Sequence, residues 1–178
     1  MFKRSLRTDI IFALILLLTG IYLTGWKNIT PLIVENFTTA FFPLLIIACF
    51  FLFIFYLIGK KRKPGFLFGF DFWLTLLVYP VWALIQQLII VLWIYFPVLK
   101  LTNSPFLSIV AGSLFFASLH LPKTRFFLVV LPAEFLCLYV FSQTGNILAV
   151  ALYHSLVATP YYFWVYGDDV LKRRFAGK

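Results

Sequence analysis

Long runs of apolar residues alternate with short polar or charged segments along the whole chain of 178 residues. Each of six runs is close to the length of about 20 residues that an α-helix needs to cross the hydrocarbon core of a bilayer. The pattern predicts six transmembrane helices, at about Ile10–Trp26, Thr38–Ile58, Phe72–Leu99, Ser104–Leu121, Phe126–Ser142 and Asn146–Tyr166. We therefore predict an all-α fold, a polytopic transmembrane helical bundle.

Two of the predicted helices have local features of their own. The third run is the longest, and Pro80 within it is expected to kink the helix. The first run follows Lys3, Arg4 and Arg7, as the apolar region of a signal peptide would. Because this run is long and no A-x-A cleavage pattern follows it, we interpret it as a retained membrane anchor.

Composition indicates the same class of protein. Hydrophobic residues make up 63 % of the chain and charged residues 12 %, and the mean hydropathy is +1.00. Soluble domains contain roughly 45–50 % apolar and about 25 % charged residues. A water-soluble globule of this size has no room to bury so many apolar side chains, so lipid is the expected solvent. Cys49 and Cys137 both lie in apolar runs, and we interpret them as small apolar side chains.

The basic residues predict the orientation in the membrane. In a six-helix arrangement thirteen Lys and Arg residues, including the run Lys60–Lys63, fall on one side, and only Lys27 and Lys100 fall on the other. Cytoplasmic connections carry the excess of Lys and Arg, so both termini are predicted to be cytoplasmic. The net charge of +9 is confined to short clusters between apolar runs, which is typical of juxtamembrane segments. We expect the lipid bilayer as a partner and no nucleic acid.

The connections between the runs are too short to contain a separate core. Residues 1–178 are therefore predicted to form a single transmembrane domain, which we expect to reside in the plasma membrane as a multi-pass protein.

Five polar side chains lie at predicted membrane depth, where an unpaired polar group costs several kcal/mol. They are Gln86, Gln87, His120, Glu134 and His154. Each also has a purely structural interpretation: the glutamines as hydrogen-bonding groups between helices, His120 as an interfacial residue, and His154 as a side chain bonded to a neighbouring helix. Glu134 is the single carboxylate inside a predicted span, which makes it a functional candidate.

Common motifs for metals and cofactors are absent from the sequence. There is no H-E-x-x-H, no phosphate-binding glycine loop and no G-x-S-x-G. We predict no metal and no cofactor.

The order of the polar positions resembles the CPBP family of intramembrane proteases, also called CAAX or Rce1-like proteases. That family carries E-E-x-x-x-R, F-x-x-x-H and H-x-x-x-N on successive helices. Phe116–His120 matches the second motif, and His154 lies where the third begins. Gln86 and Gln87 stand at the position of the paired glutamates. The resemblance covers about residues 72–166, so residues 1–60 are predicted to form two additional N-terminal spans.

The resemblance implies an endopeptidase that cleaves a membrane-tethered protein or peptide. It assigns His120 to water activation with the first-motif glutamate, and His154 to stabilising the oxyanion. This chain departs from the pattern at Gln86 and Gln87, at Val91 in place of the arginine, and at Ala158 in place of the asparagine. An amide cannot serve as a base near neutral pH, so with an unchanged mechanism the activity is expected to be impaired.

The sequence leaves three functions open. Glu134 is a candidate to supply the missing carboxylate while a glutamine positions water, which gives an active endopeptidase. A non-catalytic relative that binds a membrane partner in the same groove is the second interpretation. A small proton-coupled transporter, with Glu134 and the histidines as a proton relay, is the third.

Overall fold

The chain forms a helical bundle in a computed structural model that describes residues 6–62, 68–121 and 123–167. Its α-helices are α1 (Leu6–Thr24), α2 (Trp26–Val34), α3 (Phe37–Arg62), α4 (Phe70–Ile90), α5 (Phe96–Thr102), α6 (Pro105–Ser118), α7 (Thr124–Thr144) and α8 (Ile147–Pro160). Two π-helical segments, Val91–Tyr95 and Tyr161–Tyr166, continue α4 and α8. The predicted cytoplasmic basic residues at positions 3–4, 63 and 172–178 lie outside the described residues.

The predicted all-α membrane bundle is confirmed, and helices occupy most of each of the six predicted runs. Within the part of the chain that the structure describes, three helices are long and apolar enough to cross a bilayer: Phe37–Lys61, Phe70–Thr102 and Thr124–Thr144. The pair α1 and α2 meets the same criterion only if it is counted as one bent span, and α6 is shorter, at 14 residues. The number of crossings therefore stays a prediction, while the helical membrane architecture is established.

The short helix α2 was not predicted from the sequence. The chain bends by 107° between α1 and α2, at Gly25 with φ +83°. Glycine accepts a positive φ without the steric penalty that a Cβ would add, so the helix ends there although the apolar run continues. The predicted first span, which ended at Trp26, is thus α1 followed by the start of a differently directed helix.

Hydrogen bonds from two asparagines hold the end of α2 against the turn between α7 and α8. Asn146 Nδ2 donates to the backbone oxygens of Ile33 (3.0 Å) and Glu35 (2.7 Å). Asn36 Nδ2 donates to the backbone oxygen of Thr144 at 3.0 Å. We call this set of contacts the asparagine clamp.

Apolar side chains cover the outside of the bundle, and several polar side chains lie inside. Leu77 is 77 % exposed, whereas Gln87 and Glu134 are 0 % and 1 % exposed. This distribution is the reverse of that in a soluble protein and is what lipid as the surrounding solvent favours.

Small residues bring the helices close together. On α3, Ala40 and Ala48 are fully buried in the main core, which also contains residues of α8. Small side chains allow helix backbones in a membrane to approach closely and gain van der Waals contact. Helices α4 and α8, α6 and α7, and α3 and α8 make the most extensive contacts, so α8 lies between α3 and α4.

Gly112 is expected to be essential to the packing of α6 against α7. A Cβ at this position would lie 2.5 Å from Leu138 Cδ1 and 3.4 Å from Ile90 Cγ2. Leu138 is fully buried, so it has little room to move. We predict that Gly112→Val lowers the free energy of unfolding by about 1–3 kcal/mol, the usual cost of overpacking. Unfolding of the purified protein in detergent measures this change.

The matched control is Gly69→Val at the start of α4. A Cβ at Gly69 would have no atom within 4 Å among the described residues, and its φ of −66° suits any residue. Equal stability losses in the two variants would contradict the packing role of Gly112.

Candidate functional site

A cavity of ≈ 60 Å³ lies inside the bundle, lined by residues of α3, α4, α6, α7, α8 and the second π-helical segment. Most of its lining is apolar or aromatic. Its ionisable side chains other than tyrosines are His120, Glu134, Cys137 and His154. The volume is enough for several water molecules, and polar residues at membrane depth are expected to face such an internal cavity.

Local structure at the turn between α7 and α8 determines where α7 ends and where α8 begins. Gly145 ends α7 with φ +71°, and Asn146 begins α8 by accepting a hydrogen bond from Ala149 N at 2.8 Å. Asparagine is a preferred residue at a helix start because its side chain satisfies an otherwise unpaired backbone N–H. The two helices therefore have defined ends, and Glu134 in the middle of α7 lies close to His154 in the middle of α8.

Gln87, Glu134 and His154 meet in one buried group that joins three helices. Gln87 Nε2 donates a hydrogen bond to Glu134 Oε2 at 2.9 Å and lies 3.2 Å from His154 Nδ1. The distance from His154 Nδ1 to Glu134 Oε2 is 3.9 Å. These contacts orient the carboxylate and the imidazole with respect to each other in a site with very little solvent exposure.

Glu134 retains an oxygen without a hydrogen-bond partner. Its Oε1 is buried and accepts no hydrogen bond from any residue that the structure describes. A buried acceptor in this condition costs about 1–3 kcal/mol. Since Glu134 lines the cavity, a donor within the cavity is positioned to complete its hydrogen bonding.

Aromatic rings hold the two histidines on the same cavity. The Phe116 ring contacts both imidazoles, with centroid distances of 5.4 Å to His120 and 5.4 Å to His154. Tyr79 stacks on His154, and Phe126 stacks on His120. The imidazoles therefore face one shared space with Phe116 between them.

Four of the five candidate residues from the sequence belong to this region. Gln87, Glu134 and His154 are in direct contact, and His120 lines the same cavity. Neither glutamine lines the cavity itself: Gln87 reaches the site through its contacts with Glu134 and His154, and Gln86 Oε1 has no hydrogen-bond partner within the described ranges. Adjacent residues on a helix point about 100° apart, which explains why only one glutamine reaches the site.

The cavity is elongated along α7. Along α7 it extends from Phe126 to Cys137, a rise of about 16 Å at 1.5 Å per residue. His120 lies near the Phe126 end, which is close to the basic residues Lys123 and Arg125. Glu134 and His154 lie towards the Cys137 end, so the cavity connects the region of His120 with the region of these two residues.

Cys137 is a site residue that was not predicted from the sequence. Cys137 lies one helical turn after Glu134 and lines the cavity. Residues at i and i+3 share a face of a helix, so this spacing could have indicated that Cys137 lies beside Glu134. Ala158, at the position of the family's asparagine, also lines the cavity, whereas Val91, at the position of the arginine, is fully buried in the core.

These features define an integral membrane protein with a buried polar site inside a helical bundle. A model of the family described as type II CAAX prenyl endopeptidase Rce1-like matches residues 65–159, more than half of the chain. The chain belongs to this family, which confirms the resemblance found in the sequence. The matched range includes the four site residues Gln87, His120, Glu134 and His154. Neither the curated proteins nor the solved structures gave a match.

Proposed function

We propose that this protein is an intramembrane endopeptidase that uses Glu134 as its general base. The observation that carries the proposal is the contact of the Glu134 carboxylate with Gln87 at 2.9 Å, beside His154 and on the cavity. Gln87 occupies one of the positions where the family's motif has glutamate. The carboxylate is thus next to the expected place, although it comes from α7 and not from α4.

The proposed reaction is hydrolysis of a peptide bond. Glu134 takes a proton from a water molecule in the cavity, and the resulting hydroxide attacks the carbonyl carbon of the substrate. The C–N bond of the tetrahedral intermediate then breaks, and Glu134 returns the proton to the leaving amine. A carboxylate serves as base in this sequence, whereas an amide does not.

Gln87 and the histidines have supporting roles in this proposal. Gln87 holds one oxygen of Glu134 by a hydrogen bond and leaves the other oxygen, Oε1, for water. His154 and His120 line the cavity and are suited to donate hydrogen bonds to the developing oxyanion. A fixed donor in a water-poor site stabilises that charge more than it would in bulk water.

The substrate class follows from the surroundings of the site. Because the cavity lies within a bundle with an apolar exterior, the scissile bond must belong to a protein or peptide held at the membrane. The family description names a CAAX prenyl endopeptidase. A farnesylated peptide ending in C-a-a-X, placed in lipid vesicles, is therefore the first probe. The plasma membrane is the proposed location.

Replacing both histidines by alanine is expected to abolish cleavage of this probe. Losing one oxyanion donor costs roughly 10²–10³-fold, and two losses bring the rate to background. Mass spectrometry of the released fragment measures the rate, and the unfolding midpoint in detergent verifies that the variant is folded. The control is Gln143→Ala, an exposed polar position on the same helix as Glu134. Retained cleavage by a folded double variant would contradict an enzymatic function of this cavity.

A second candidate is a non-catalytic protein that binds a membrane partner in the same cavity. The apolar lining and Ala158 at the position of the asparagine favour it. Under this alternative, the wild-type protein binds the farnesylated probe but releases no fragment, and the double histidine variant still binds it.

A further inference from the structure

The structure assigns a second chemical capacity to this region: we propose that Glu134, Cys137 and His154 form a binding site for a thiolate-seeking divalent metal ion such as Zn²⁺. The ligand atoms of the three side chains all lie within 4.8 Å of one another. This inference departs from the prediction of no metal made from sequence motifs, because the packing of α7 against α8 brings together ligands that no motif indicates. It rests on this geometry and does not depend on the proposed hydrolysis.

The spacing of the three ligands suits a small tetrahedral ion. Zn²⁺ binds sulfur at about 2.3 Å and nitrogen or oxygen at about 2.0–2.2 Å, so its ligands lie roughly 3.3–3.8 Å apart. The present separations exceed this range by about 1 Å at most, which small side-chain adjustments can close. Glu134 and Cys137 are three residues apart on α7, and His154 faces them from α8, so two rigid helices carry the whole set.

The charge of the cluster also fits a divalent cation. A carboxylate, a thiolate and a neutral imidazole together carry two negative charges, and one divalent ion brings the total to zero. This balance matters because Glu134 and Cys137 are each 1 % exposed, and an uncompensated buried charge is costly. The metal displaces the thiol proton as it binds.

The donor set selects among metals. Mg²⁺ and Ca²⁺ prefer sites made of oxygen ligands, whereas a thiolate with an imidazole suits Zn²⁺ and related ions. All three side chains line the cavity, which provides a position for a fourth ligand such as water. The unpartnered Glu134 Oε1 is a second indication, because it is a buried acceptor without a donor among the described residues.

Gln87 supports the cluster from outside. Its Nε2 donates a hydrogen bond to Glu134 Oε2, and such outer contacts orient metal ligands. Because the metal would take the carboxylate that the proposed hydrolysis needs, metal binding and base catalysis are competing uses of Glu134.

Cobalt(II) is the probe for this site, since a cobalt–thiolate bond gives a charge-transfer band in the near ultraviolet. The full-length protein is purified in detergent, stripped of metal and titrated with one equivalent of Co²⁺. We expect a thiolate band that Zn²⁺ abolishes by displacement. The measurement needs no substrate, so its failure is distinguishable from failure of the proposed protease activity.

The variant Cys49→Ser decides which cysteine is the ligand, because the chain contains two cysteines. Cys49 is exposed on α3, so the variant is expected to fold and to keep the full band from Cys137. Cys137→Ser is expected to lose the band, and Glu134→Gln to weaken Co²⁺ binding. Absence of the band in the wild type or in folded Cys49→Ser would overturn the proposal.

Discussion

Replacing Glu134 by glutamine is expected to reduce cleavage of a membrane-held peptide by roughly 10²–10⁴-fold, the usual contribution of a general base. The substitution keeps the size of the side chain and an oxygen that can accept the hydrogen bond from Gln87. It removes the basic carboxylate, which under the proposed mechanism receives the proton of water. Single-turnover cleavage of the farnesylated peptide in vesicles measures the chemical step directly.

The control for this experiment is Glu35→Gln. Glu35 is exposed and lies outside the cavity, near the asparagine clamp, so the change removes the same charge from a position without a catalytic role. We expect its cleavage rate to match that of the wild type. An unchanged rate for folded Glu134→Gln would exclude Glu134 as the base, whatever the activity of the protein.

Exchanging the carboxylate and the amide between α4 and α7 is expected to restore activity. In the double variant Gln87→Glu with Glu134→Gln, the carboxylate stands at the position of the family's glutamate, and the new amide is within hydrogen-bond distance of it. The wild-type contact is 2.9 Å, and the exchange reverses its direction. We predict a gain of roughly 10²-fold over Glu134→Gln alone, the lower end of what a general base supplies.

The neighbouring position provides the control for the exchange. Gln86→Glu in the Glu134→Gln background introduces the same charge one residue earlier, about 100° around the helix. Gln87 contacts Glu134 and His154, whereas no hydrogen bond among the described residues joins Gln86 to either, so this variant is expected to stay as slow as Glu134→Gln. Equal recovery from both positions would show that the contact with residue 134 is irrelevant to catalysis.

The helices could be predicted from the sequence because lipid imposes a simple rule. Backbone groups in a membrane must find partners within their own helix, so each apolar run of sufficient length becomes helical. The end of α1 could not be predicted from this rule, because Gly25 stops the helix through its backbone conformation inside an apolar stretch. The asparagine clamp could not be predicted from the sequence either, because it joins residues that are more than 100 positions apart.

The candidate site was predictable in its parts but not in its arrangement. Polar residues inside apolar runs identified Gln87, Glu134 and His154, because such residues are costly unless they have a partner. The pairing of Gln87 with Glu134 depends on the rotation of α4 and α7 about their axes, which the sequence does not specify. The same rotation determines that Gln87 and not Gln86 contacts Glu134. It also places Cys137 at the cavity, although the sequence had led us to interpret this residue as an ordinary apolar side chain.

Under the proposed function, the asparagine clamp has a consequence for the side from which substrate enters the site. It ties the turn between α7 and α8, which faces outward in the orientation that the basic residues predict, to the end of α2 with three hydrogen bonds. The cavity extends the other way, towards the helix ends at His120 and Phe126. With the proposed hydrolysis and this predicted orientation, substrates would arrive from the inner leaflet, and cut fragments would leave into the cell interior. A reagent that cannot cross the bilayer should reach the site in inside-out vesicles and fail to do so in right-side-out ones.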